Sequence, residues 1–171
     1  MAIARATGRD AAALRDLHTR TWADTYASLL PEDYYARRLN AHRVRDWEAL
    51  IREQEERGGG VLVARGSAGL AGLCQYGPSD DQDEPPGRVG QIFRLYVLPA
   101  CQRQGVGRLL LATSAELLVS SGASSLTLWA LEADRRARGF YERLGWRLDG
   151  ARRFAGAVDV RYRREQAAEA D

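Results

Sequence analysis

Two glycines and two arginines in the run Gln102-Arg103-Gln104-Gly105-Val106-Gly107-Arg108 are suited to binding an anion. The run lies between an apolar stretch that predicts a strand and a Leu- and Ala-rich stretch that predicts a helix over 104–121. Glycines let the backbone turn sharply and approach a ligand, and the free amides at a helix start attract phosphate oxygens. Leu110 stands where the dinucleotide-binding fingerprint has its third glycine. The run therefore predicts either an anion site of another kind or a plain tight turn.

Several other chemistries lack the residues that they need. All 25 basic residues are Arg, which excludes a Schiff-base lysine and the lysine of a phosphate-binding loop. Cys74 and Cys101 are the only cysteines, so a disulfide scaffold and a Cys-rich zinc site are excluded. His18 and His42 lack metalloprotease spacing, and we therefore expect no metal. A formal net charge of +2 does not by itself indicate nucleic acid binding.

Apolar periodicity predicts two helices in the first third of the chain. Residues 2–7 predict a short opening strand, and Thr7 and Asp10 have the spacing of a helix-capping pair. Pro31 ends the first helix, since proline disfavours helical geometry at the residue before it. The second helix is marked by Val44, Trp47, Leu50 and Ile51 and ends at Gly58-Gly59-Gly60.

Strands and helices alternate in the remainder of the chain, which predicts a parallel strand pair and a mixed α/β domain. The acidic segment between the second and third of these strands, Asp80 to Glu84, is predicted to be a solvated loop. The whole chain, 1–171, has the length of a single domain. The predicted strands are 61–64, 71–76, 91–98 and 126–131 with one or two more from 146, and the helices are 104–121 and 135–144.

Three motifs in order give this sequence a family resemblance. They are Ile92-x-x-Leu95-Tyr96-Val97-Leu98-Pro99, then Gln102-x-x-Gly105-x-Gly107, then Phe140-Tyr141-Glu142-x-Leu144-Gly145-Trp146. Together they resemble the GNAT superfamily of acyl-CoA-dependent N-acetyltransferases, most strongly over 88–147. The resemblance extends more loosely to Trp22, Tyr26 and Leu29-Leu30-Pro31, which look like the paired N-terminal helices of many members. It implies a central, mostly antiparallel sheet with a parallel splayed pair at the cofactor site, flanked by helices.

The same resemblance implies a donor and a set of roles. An acetyl group would pass from acetyl-CoA directly to a primary amine, without a metal and without a covalent enzyme intermediate. Tyr141 matches the tyrosine that protonates the departing thiolate in many members. The main chain of Leu95, Tyr96 and Val97 would bind pantetheine, and the amides of Gln102, Arg103, Gln104, Gly105, Val106, Gly107 and Arg108 would bind the pyrophosphate.

Two positions depart from common versions of the family. Gln91 stands where many members have a glutamate base, and an amide can hold a water but cannot accept the proton. Either the amine arrives neutral, or a carboxylate such as Glu132 or Asp159 is the base. Asp134 stands where an asparagine is common near the cofactor, and a role as helix N-cap suits it better than donation to a ligand.

The aromatic residues allow more than one interpretation. Tyr141 is either ordinary helix packing or the catalytic acid, and we favour the second because Phe140, about 100° away around the helix, can occupy the core. His18, Trp22 and Tyr26 form a stripe at helical spacing, which is more often core than the wall of an acceptor pocket.

The sequence thus predicts a cytoplasmic N-acetyltransferase that acts on a small-molecule or peptide amine. A non-catalytic CoA-binding or regulatory module on the same fold is the alternative, motivated by Gln91. Nucleic acid binding ranks third, because Arg135, Arg136, Arg138 and Arg143 share their predicted helix with acidic residues and look like a solvated face. We expect no membrane span, and a homodimer is common in the family.

Overall fold

The chain folds around one seven-stranded sheet, and the computed structural model describes residues 1–85 and 87–166. The strand order is β1-β2-β3-β4-β5-β7-β6. Short 3-10 turns at Gly8–Asp10 and Pro99–Cys101 precede α1 and α4. The elements are β1 (Ala2–Arg5), α1 (Ala11–Tyr26), α2 (Glu32–Arg43), α3 (Trp47–Glu56), β2 (Gly60–Gly66), β3 (Gly69–Pro78), β4 (Val89–Val97), α4 (Val106–Ser120), β5 (Ser125–Leu131), α5 (Arg135–Arg143), β6 (Arg147–Phe154) and β7 (Val158–Glu165).

The pairing of β4 with β5 is parallel, and every other pairing in the sheet is antiparallel. The parallel register runs from Val89 opposite Ser125 to Ile92 opposite Leu128 and ends there, although both strands continue. The two strands therefore separate beyond Ile92. The predicted mixed α/β fold with a splayed parallel pair is confirmed.

Helices cover both faces of the sheet, and a hydrophobic core lies on each. On one face, α4 buries Leu110 and Leu111 against Leu126 and Leu128 of β5. On the other face, α1 and α3 pack against β2 and β3. The second core contains Leu14, Leu17, Trp47, Ile51, Val61, Val63 and Leu73. This arrangement leaves the diverging ends of β4 and β5 as the opening between the layers.

The predicted signals at the ends of the helices are largely confirmed. The Thr7 amide donates to Asp10 Oδ2 at 2.8 Å, completing the capping box. The apolar pattern does not predict α2 as a separate helix, and its placement of Val44 on the apolar face of α3 is wrong. Val44 instead ends α2 and is 81% exposed.

The acidic segment after β3 is not the solvated loop that the sequence predicts. The Arg161 side chain of β7 is only 6% exposed and pairs with Asp81, Asp83, Glu84 and Asp149. Of the three loop acids that pair with Arg161, only Asp83 remains largely exposed, and Asp80, which does not pair with Arg161, is exposed as well. A buried guanidinium needs compensating charge, and these ion pairs raise the pKa of Arg161 and lower that of Asp83. The loop is therefore docked on β7, a pairing of residues about 80 positions apart that charge patterning could not predict.

The turn between β6 and β7 touches α2. Gly156 has a φ of +86°, and a Cβ built on it would lie 2.2 Å from Cδ2 of Tyr34. This contact brings the β6–β7 hairpin to the helical layer that also carries one wall of the opening.

Candidate active site

A cavity of about 1150 Å³ fills the space between the separating strands. Its walls include Phe93 to Val97 of β4 and Trp129 to Leu131 of β5, beyond the point where the two strands stop pairing. This volume is slightly above the usual range for small-molecule sites, about 300–1,000 Å³. Strand residues at such a gap present main-chain N–H and C=O groups that a ligand can bind.

The predicted anion-binding run forms one end of the cavity. Arg103 and Gly105 adopt left-handed conformations with φ of 61° and 83°, and α4 begins at Val106. Gln102 holds the run to β4, because its Nε2 donates to the Val97 carbonyl at 2.9 Å. The first amides of α4 lack partners within the helix. A Cβ at Gly105 would meet no protein atom within 4 Å, so the space beside this backbone is open to a ligand.

Five of the seven residues predicted in this run line the cavity: Gln102, Arg103, Gly105, Gly107 and Arg108. The side chains of the other two do not. Val106 is buried in the core below the sheet, and the Gln104 side chain donates to the Ala100 carbonyl at the surface.

Three arginines of α5 add positive charge to the same end of the cavity. Arg135, Arg136 and Arg143 line it, and Arg136 also donates to Gln102 Oε1. All three arginines are exposed, as the interpretation of a solvated face predicts, and the same face also borders the cavity. Arg136, Phe140 and Arg143 repeat at i, i+4 and i+7, and this spacing alone could have predicted a shared face.

Tyr141 and Phe140 both line the cavity, so the structure does not divide them into one ligand-facing and one core ring. Tyr141 is the more buried of the two and packs near the rings of Trp146 and Tyr162. Burial, with smaller effects from Cys74, Tyr96 and Asp134, raises the pKa of the Tyr141 hydroxyl. The phenol therefore stays protonated at neutral pH and is available as a hydrogen-bond donor.

Asp134 combines an N-cap role with a place in the cavity wall. Its Oδ1 accepts from the Ala137 amide at 2.9 Å, which confirms the predicted cap of α5. Asp134 is 7% exposed as a whole residue and borders the cavity.

Gln91 does not reach the cavity. The side chain is 3% exposed, and its Oε1 accepts from the Ser79 hydroxyl at 2.9 Å and from the Asp80 amide at 3.3 Å. The two carboxylates considered as alternative bases, Glu132 and Asp159, each form an ion pair outside the cavity. Glu132 pairs with Arg152 at 2.8 Å and Asp159 with Arg153 at 3.1 Å, and neither belongs to the cavity wall. The contribution to catalysis predicted for Gln91, holding a water near the amine, therefore has no support from its position.

The opposite end of the cavity is formed by α1 and the turn after it. Among the aromatic stripe, Tyr26 lines the cavity, whereas His18 and Trp22 are buried behind it. The His18 ring lies 4.9 Å from the Tyr96 ring and 5.4 Å from the Trp47 ring. The core interpretation of the stripe is therefore right for two of its three members. The wall at this end is made by Thr21, Asp24, Thr25, Tyr26, Ser28 and Leu29, with Arg94 of β4 facing them.

The chain belongs to the acetyltransferase (GNAT) family, whose model matches residues 12–146. It is 34% identical over 117 residues to the uncharacterized N-acetyltransferase YuaI of Bacillus subtilis, a match covering 68% of this chain and 63% of that protein.

Solved structures share the fold over nearly the whole chain. The PaiA N-acetyltransferase of Thermoplasma acidophilum, in complex with coenzyme A, has a TM-score of 0.79 at 17% identity, covering 96% of this chain and 98% of that one. The acetyltransferase yncA of Salmonella typhimurium, with its cofactor acetyl-CoA, has a TM-score of 0.70 at 19% identity, covering 100% and 98%. Within the described ranges, no helix is long and apolar enough to cross a membrane.

Proposed function

We propose that this protein transfers the acetyl group of acetyl-CoA directly to a primary amine, inside the cavity between β4 and β5. One observation carries the proposal. The gap between the separating strands joins a basic, glycine-containing helix start to a polar wall on α1, and Tyr141 lies on the wall of the same cavity. A donor laid along the gap would present its thioester to an amine arriving from the α1 side.

The residues at the basic end fit the phosphates of the donor. Amides at the start of α4 would bind the pyrophosphate, aided by the positive end of the helix dipole. Arg103, Arg108, Arg135, Arg136 and Arg143 would neutralise its charge. Along the wall, main-chain groups of Leu95, Tyr96 and Val97 would hold the pantetheine arm, as an extra strand pairs with a sheet edge.

Bound acetyl-CoA supplies an acyl carbon activated by a thioester. The amine nitrogen would form a bond to that carbon while the bond from carbon to sulfur breaks, and the amine proton would leave to solvent. The Tyr141 hydroxyl would donate a hydrogen bond to the developing thiolate. Because the pKa of Tyr141 is raised, we expect full proton transfer only if the same burial raises the pKa of the departing thiol. Gln91, Glu132 and Asp159 do not line the cavity, and the carboxylate at the acceptor end is that of Asp24. The amine would arrive neutral or would lose its proton to solvent beside Asp24.

Thiol release from acetyl-CoA tests the proposal. The assay uses amino acids, short peptides, polyamines and aromatic amines as acceptors, with mass spectrometry to identify the acetylated product. Arg108→Gln should weaken CoA binding in calorimetry, whereas Arg88→Gln, on the exposed turn before β4, should not. A protein that binds acetyl-CoA but acetylates no amine would support the regulatory alternative. Absence of CoA binding would overturn both.

A further inference from the structure

Arg94 is positioned at the acceptor end of the cavity by a local irregularity of β4. The register shifts between Gln75, which pairs with Arg94, and Tyr76, which pairs with Ile92, so that Phe93 is an extra residue. Such a bulge re-aims the side chains that follow it. Ile92 remains in the core under α4, whereas Arg94 lies on the cavity wall with Tyr26 and Thr25 of α1.

A row of amides holds the guanidinium in place. Arg94 Nη1 donates to Gln75 Oε1, and Gln75 Nε2 donates to Gln54 Oε1 of α3 at 2.7 Å. Both glutamines are buried. A glutamine accepts the hydrogen bond without neutralising the charge, so Arg94 is oriented but keeps its full positive charge.

That charge has no carboxylate partner in the described parts of the chain. None of the ion pairs within residues 1–85 and 87–166 includes Arg94, and Asp24 on the same wall is exposed and unpaired with it. Burial and then the charge of Arg45 lower the pKa of Arg94 to about 10, and Tyr96 and Asp80 act in the opposite direction. Arg94 is thus a partly desolvated cation at neutral pH, an arrangement that is costly unless an anion completes it.

We infer that Arg94 binds a carboxylate of the acceptor, so that the acceptors are amines of the amino-acid class. The inference rests on the proposed function. Guanidinium and carboxylate match as a bidentate pair, which would fix the acceptor while its amine reaches the thioester.

The position of Arg94 separates this role from phosphate binding. Val97, next to the phosphate end, is three residues further along an extended strand, about 10 Å away. The phosphate end also has five arginines of its own. A polyamine would meet an unpaired cation at this position, and Arg94 would disfavour it by like-charge repulsion.

Matched pairs of acceptors test the inference. We would measure kcat/KM for a panel of L-amino acids and for their C-terminal amides, which keep the amine and lose the carboxylate. A charge-assisted hydrogen-bond pair is worth about 1.5–3 kcal/mol, so the best amino acid should exceed its amide by about tenfold to a hundredfold. Arg94→Gln should remove most of this ratio, through KM of the acid, and Arg94→Lys should restore part of it. Arg88→Gln should leave the ratio unchanged.

Binding provides a readout that does not need turnover. Calorimetry with the N-acetylated amino acid should show weaker binding to Arg94→Gln than to wild type, with both proteins melting cooperatively. Preference for amides or polyamines, or an acid-to-amide ratio unaffected by Arg94→Gln, would overturn the carboxylate site while leaving acetyl transfer intact. If no amine is acetylated, the proposed function fails, and equal binding of the acetylated acid to both proteins then rejects the carboxylate site as well.

Discussion

Acidification should destabilise this fold through His18 and His42. Both rings are buried, their centroids lie 4.4 Å apart, and their nitrogens have no hydrogen-bond partner among the described residues. Burial lowers the pKa of His18 to about 2 and that of His42 to about 3, and the nearby charges of Arg45, Arg38 and Arg94 act in the same direction. Both imidazoles are therefore neutral in the folded protein throughout the physiological range.

The magnitude follows from proton linkage. In the unfolded chain each histidine takes up a proton near pH 6.5, whereas in the folded chain it does not until the pH approaches 3. The contribution to stability is therefore complete above pH 6.5 and is lost as the pH falls below it. From pH 7.5 to 5.0 the loss is about 2 kcal/mol for each histidine and about 4 kcal/mol for the pair.

Urea unfolding at a series of pH values measures this loss. The chain has only two histidines, and unperturbed carboxylates titrate below pH 5, so the window from 7.5 to 5.0 isolates the pair. His42→Leu should remove half of the pH dependence and cost little at pH 7.5, since it replaces an unpartnered polar ring with an apolar side chain. A free energy of unfolding that stays constant over this window would refute the buried neutral pair.

Substitutions at Gly105, Gly156 and Gln91 test three further parts of the account, the first two with a matched glycine as control. Gly105→Ala and Gly122→Ala should each lower the free energy of unfolding by about 1–2 kcal/mol, because both positions have positive φ. Only Gly105→Ala should weaken CoA binding in calorimetry. If both variants bind CoA with the same affinity, the pyrophosphate site is not at Gly105. Gly156→Ala should lower the Tm by more than Gly150→Ala, because only the methyl group at 156 clashes with a neighbour, the Tyr34 ring, at a cost of about 1–3 kcal/mol. Equal melting temperatures would show that this clash is relieved at no cost. Gln91→Ala should reduce turnover far less than the roughly 10²–10⁴ lost with a general acid or base; a loss of that size would give Gln91 a catalytic role.

Local signals in the sequence predicted most of the fold. The capping pair Thr7 and Asp10, the glycines after α3 and α4, and the alternation of apolar strands with helices each act over a few residues. The sequence does not predict α2 because this helix has too few buried residues to give a periodic apolar pattern. His42 is its one buried residue. A helix of that kind is held by contacts with α1, which sequence periodicity does not record.

The candidate site was predictable where a motif is contiguous and unpredictable where distant residues meet. The run from Gln102 to Arg108 is one such motif, and most of it lines the cavity. The orientation of Arg94 depends on a bulge and on Gln54, which is 40 positions earlier in the chain. The Gln91 side chain lies outside the cavity because it is hydrogen-bonded to Ser79 and Asp80. These two residues belong to a loop whose docking on β7 the sequence does not reveal.

The turnover of Tyr141→Phe tests whether acetyl transfer takes place in the cavity beside Tyr141. The substitution removes only the hydroxyl, and Tyr76→Phe makes the same change in a buried tyrosine outside the cavity. Under conditions where chemistry limits the rate, kcat of Tyr141→Phe should fall about tenfold or more, with the Kd for acetyl-CoA unchanged. Tyr76→Phe should keep the wild-type kcat. Equal kcat values for wild type and Tyr141→Phe would contradict the account, because the thiolate would then leave without help from this residue.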